Sequence, residues 1–162
     1  MTPKEIVSGQ FTLCQSLYEG AVKDLSEQDM RFQPFEGANH INWILVHLAV
    51  SEDSLIAAIT GKPKRYSESL HKSFGGGSTC SPDDGMTKSE AWRMYAEQGT
   101  TTVEFIRTFP ESRYDEAAPE SLRSFFPTIG AVVGLMGTHP YWHVGQATSN
   151  RRALKKPMLF TP

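Results

Sequence analysis

"NHINWILVHLAVSEDSLIAAITG", residues 39–61, decides how the rest of the chain is read. Asn39 is a good helix cap and Gly61 a natural stop. Between them, apolar side chains wrap most of the circumference over the early turns, and His47 lies among Ile44, Leu45, Leu48 and Leu55. A helix apolar on so many sides belongs inside a protein, covered by other helices. His47 then faces the core or a neighbouring helix.

Three more helices follow from spacing and end signals. Val7, Phe11, Cys14, Tyr18, Ala21 and Leu25 step by three and four residues, which predicts a helix over Thr2 to Asp24. Thr2, Pro3 and Glu5 form its start signal. "TKSE", Thr87 to Glu90, is a capping box that opens a helix reaching Phe109 before Pro110. Its middle carries "GTTT" at 99–102, which lowers helix propensity. The last helix starts near Thr128 and ends around Arg152 to Leu154. Lys62 to Met86, with "GGG" at 75–77 and "SPDDG" at 81–85, is too long for a simple turn and reads as a strap, a cover or a loose segment. No strand alternation is visible. The expectation is an all-α fold, a four-helix bundle with a long crossover, forming one domain over 1–162.

Composition narrows the function. The 162 residues carry sixteen basic and eighteen acidic side chains, a net charge of −2. Basic residues are scattered, which argues against a nucleic-acid face. No apolar run approaches the ~18 residues of a membrane span, and the first residues lack the pattern of a secretory leader. The expected compartment is the cytoplasm, with Cys14 and Cys80 reduced.

"GTHPYWHVGQ", 137–146, sets His139 and His143 four residues apart, on one face of a helix. With His47 they make a candidate tri-histidine site with an open position. Histidines on apolar faces also serve as ordinary core residues, and spacing alone leaves both readings open. Pro140 occupies the place where an HExxH peptidase carries its glutamate, so that chemistry is excluded. Pro140 also bends a helix rather than forbidding one.

Three stretches together resemble the DinB-like (damage-inducible, YfiT-related) four-helix bundle family. They are "LYEGAVKDLSEQDMRFQP" at 17–34, "INWILVHLAVSED" at 41–53, and "HPYWHVGQATSNRRAL" at 139–154. The resemblance implies a metal site made of His47, His139 and His143, with zinc or nickel as the divalent ion. It implies a thiol-dependent transferase or isomerase acting with a low-molecular-weight thiol, and a homodimer. A metal-dependent hydrolase and a non-catalytic metal-binding stress protein are the alternatives.

Other residues carry weaker expectations. Gln146 is placed to orient a ligand or to pack, Gly145 to let helices approach, and Arg151 and Arg152 to hold a carboxylate or to end a helix in solvent. Cys14 reads as core; Trp43 and Trp142 read as core or interface. His40 is too far along its helix to be a fourth ligand, and His71 reads as exposed. Glu52 and Asp53 read as surface charges, unless one of them hydrogen-bonds a ligand histidine.

Overall fold

The computed structural model describes residues 1–159. Its helices are α1 (Pro3–Val22), α2 (Glu27–Met30), α3 (Ile41–Thr60), α4 (Glu68–Phe74), α5 (Lys88–Thr108) and α6 (Ile129–Ala153), with a 3-10 turn at Glu111–Arg113. Among the described residues there is no strand, only an isolated antiparallel bridge between Ala117 and Thr128. The four long helices α1, α3, α5 and α6 form the bundle. α3 packs most extensively on α5, and α1 on α6.

Start signals work as the sequence predicts at two places. Thr2 and Glu5 satisfy each other's backbone donors at α1, and Thr87 and Glu90 do the same at α5. Each such cap is worth about 1 kcal/mol. The "GTTT" run does not break α5. A Cβ at Gly99 would collide with the side chain of Gln15 and crowd Phe11, so the glycine is what lets α1 and α5 close on each other. Gly137 does the same for α1 against α6, where a Cβ would lie 3.0 Å from Val7 Cγ1. Gly145 does not, because no atom lies within 4 Å of that position; it faces solvent, which corrects the expectation of a close approach there.

α3 is capped by His40, not Asn39. The His40 Nδ1 accepts the Trp43 N–H at 3.0 Å, and its Nε2 donates to the Ser81 carbonyl at 2.8 Å. A buried imidazole does the work of an asparagine here because the strap brings it a carbonyl to bind. At the other end Gly61 adopts φ 70°, the left-handed conformation that closes the helix. Ile41, Ile44, Leu45, Val46, Leu48 and Val50 are fully buried. By length and composition alone α3 could cross a membrane, with 67% of the relevant window covered by the rest of the fold. This corrects the reading that no apolar run reaches that length; the run is apolar because it is the core.

The 62–86 connection is a strap laid lengthwise on α3, and it runs back along it. Arg65 N–H and Tyr66 N–H donate to the Asp53 carboxylate, His71 pairs with Asp53, Phe74 meets His47, and Ser81 meets His40. Met86 closes the strap by accepting from Asn42 Nδ2 at 2.7 Å. The apolar interior divides into two clusters. One, around Tyr18, Trp43, Leu48, Phe74 and Tyr95, lies under the strap. The other, around Leu55, Ile106, Phe109, Val132 and Met136, fills the opposite part of the bundle.

Candidate metal centre

His47 comes from the middle of α3, while His139 and His143 come from successive turns of α6. α6 runs without interruption through Pro140. The Pro140 carbonyl accepts the Tyr18 hydroxyl at 3.0 Å in the buried interior, which ties α6 to α1 beside His139.

The three rings converge through their Nε2 atoms. His47 Nε2 is 3.3 Å from His139 Nε2, and His143 Nε2 is 3.2 Å from it. The outer nitrogens explain why the inner ones carry lone pairs. His47 Nδ1 lies 2.6 Å from the Phe74 carbonyl, which only accepts, so Nδ1 carries the proton. His143 Nδ1 faces Gln146 Oε1 at 3.0 Å, and that same oxygen accepts from Asn39 Nδ2 at 3.2 Å. His139 Nδ1 has no hydrogen-bond partner but sits 3.9 Å from Glu52 Oε1. When Glu52 is ionised, its charge favours the proton on Nδ1 and leaves Nε2 free as well.

Three neutral imidazoles with lone pairs aimed at one another repel unless a cation sits between them. Ligands on a tetrahedral ion with Zn–N bonds of 2.0–2.1 Å lie about 3.3 Å apart. The two separations to His139 fit that requirement, and all three ligand atoms lie within 4.8 Å of one another. Glu52 fits it too. It is 1% exposed and neither carboxylate oxygen has a hydrogen-bond partner. Burial alone pushes its carboxyl well above the usual range. A buried carboxylate needs a compensating charge, and a dication held by His139 would supply one.

Burial, first of all, brings all three histidines down to about 4. They are therefore neutral, and ready to act as ligands, throughout the physiological range. Trp43, one turn before His47, stacks on its ring at 4.6 Å and 10°. Trp142 stands at the solvent edge, 64% exposed, 5.9 Å from His139. No thiol joins the cluster. Cys14 is fully buried and burial pushes its thiol to about 12; Cys80 is raised as well.

Several weaker expectations change. His71 is not exposed: its side chain is 9% accessible, with Nε2 2.9 Å from Asp53 and Nδ1 3.0 Å from Ser54 Oγ. Asp53 is buried, not a surface charge, because it gathers the strap's backbone donors. Arg151 is buried and binds the Ala21 carbonyl, the Pro157 carbonyl and Asp24, so it locks the ends of α1 and α6 together and is closed to substrate. The sequence reading did not include the Phe74 carbonyl, a backbone group without any residue-type signal.

The chain matches the family model of the DinB superfamily over residues 10–147. It belongs to the DinB superfamily. No curated protein matches it. Among solved structures it is similar to a conserved protein from Enterococcus faecalis, with a TM-score of 0.78 at 15% identity, covering 96% of this chain and 98% of that one. At that identity the likeness shows the shared all-helical fold. The tri-histidine cluster and the superfamily together are compatible with a metal-binding protein.

Proposed function

We propose that this DinB-superfamily protein is a metal-dependent enzyme that uses a low-molecular-weight thiol for transfer or isomerisation. The observation that carries the reading is the convergence of three neutral Nε2 atoms from His47, His139 and His143, with His47 and His143 hydrogen-bonded on their outer nitrogens and Glu52 3.9 Å from that of His139. A divalent ion there, zinc or nickel, supplies a positive charge that favours the deprotonated form of a thiol beside it.

This chain's residues have separate parts in that scheme. Phe74 and Gln146 hold the outer protons of His47 and His143, which keeps both rings oriented and both inner lone pairs available. Glu52 faces the outer nitrogen of His139 at 3.9 Å, without a hydrogen bond, from a position closed to water. Trp43 covers one face of the His47 ring and excludes solvent from that side. Because Cys14 and Cys80 are buried and held protonated, the nucleophilic sulfur has to come from a bound thiol. The partly exposed edge at His139 and Trp142 is the side from which it can arrive.

The test is metal analysis of the purified protein followed by product analysis of an activated electrophile with and without thiol. One metal per chain and thiol-dependent product support the reading. Turnover without thiol assigns the site to hydrolysis, and a stoichiometric metal without any exchangeable position assigns it to a non-catalytic role. A homodimer is part of the same proposal, with the exposed Trp142 and Phe35 available to an interface; light scattering that finds only an 18 kDa species rejects it.

A further inference from the structure

The strap does more than cover α3. The last residue of a helix has a carbonyl without an intrahelical partner, and at the end of α4 that group is Phe74 O, which takes the proton of His47 Nδ1 at 2.6 Å. The orientation of a metal-ligand candidate therefore depends on where a seven-residue helix stands. A helix so short is not stable by itself, and something must hold it.

What holds it is a second histidine cluster two turns farther along α3. Ser54 lies seven residues after His47, on the same face. His71 lies three residues before Phe74, on one side of α4. The His71 ring bridges the two helices, with Nε2 2.9 Å from Asp53 Oδ2 and Nδ1 3.0 Å from Ser54 Oγ. Asp53 also receives the Arg65 and Tyr66 N–H groups at 2.9 and 3.2 Å, which pins the strap just before α4 begins. After Phe74 the chain turns away at Gly75, where a Cβ would collide with the His71 carbonyl. All these contacts fix α4 in position and direction.

We infer that Asp53, His71 and Ser54 are positioning residues for His47, acting through α4 to place the Phe74 carbonyl and so set the tautomer and aim of the metal-facing imidazole. The metal readout of this inference rests on the function proposed above. The bond from His47 to Phe74 does not.

Two measurements test it, each with zinc alone as the probe or with no metal. Zinc affinity is read by competition with a chelator. The His47 Nδ1–H is read in the zinc-free protein by imidazole nitrogen–proton NMR. His71→Ala is expected to weaken zinc binding tenfold or more, in the range for partners of metal-ligating histidines, and to broaden or lose the His47 Nδ1–H signal while the His143 signal stays. Ser54→Ala, which removes one contact, is expected to cost about threefold. His71→Gln, which keeps a donor for Asp53, restores most of the affinity. Arg65→Ala, which removes the side chain's pair with Glu97 and its contact over the Tyr66 ring but keeps the backbone N–H to Asp53, leaves both readouts unchanged. Wild-type affinity and an intact His47 signal in His71→Ala overturn the inference, as does an equal loss in Arg65→Ala. If His71→Ala fails to fold, Ser54→Ala and His71→Gln decide the matter on the same two readouts. If the wild-type protein binds no zinc, the proposed function fails and the zinc-free NMR comparison still decides the role of the latch.

Discussion

Two histidine clusters sit on one helix and differ in a way that separates ligand from latch. At Asp53, His71 and Ser54 both ring nitrogens of the histidine face a partner, and the carboxylate is shared among three donors. At His47 and His143 the outer nitrogens are hydrogen-bonded, that of His139 lies 3.9 Å from Glu52, and the inner three face only each other. A completed network contributes to folding; an incomplete one, held in place by its surroundings, waits for a charge. The same residue type takes opposite roles because of what its second nitrogen meets.

The comparison breaks most sharply in a triple His47→Ala, His139→Ala, His143→Ala variant. It should lose all stoichiometric metal by elemental analysis, and retention of full metal content would end the metal-centre reading. Asp53→Ala attacks the other cluster. It leaves buried donors without an acceptor, and should lower unfolding free energy by about 2–4 kcal/mol in urea titration, whereas His143→Ala in the metal-free protein should cost about 1 kcal/mol or less.

Acid should separate the clusters next. The three converging histidines are held near 4 in the fold, below the ordinary value of 6.5 that they regain on unfolding. Between those two values the unfolded chain binds protons that the native one refuses, so metal-free stability is complete above 6.5 and falls as pH drops towards 4. The triple alanine variant should lose most of that slope; an unchanged slope contradicts the buried-neutral assignment. Glu52→Gln sharpens the comparison from the carboxylate side. It should stabilise the metal-free protein, by removing an unpaired buried acid, while weakening zinc binding about tenfold. The smallest effect belongs to Gln146→Ala, which frees the exposed outer nitrogen of His143 and the Asn39 amide and should weaken zinc binding a few-fold in the same competition assay.

Much of the fold was legible in local sequence. The boxes at Thr2 and Thr87 join residues three apart, and the stop at Gly61 needs a single residue. The pairing of His139 with His143 follows from helical periodicity. What misled at the polar positions was a group whose partner lies far along the chain. Asn39 looks like the cap of α3, yet His40 takes that place because the Ser81 carbonyl arrives from the strap. His71 and Asp53 look solvated until α4 folds back on α3. Arg151 looks like a helix end in water until Asp24 and the end of α1 reach it.

By itself, then, the sequence determined the helices, their ends and the residue types able to hold a metal, since those depend on periodicity and on contacts within one or two turns. Only the tertiary structure decided which histidines meet, which nitrogen of each is free, and that a backbone carbonyl from the strap aims one of them. Tautomer and orientation come from hydrogen bonds between groups as many as 27 residues apart for His47 and Phe74, and no local pattern encodes such a distance.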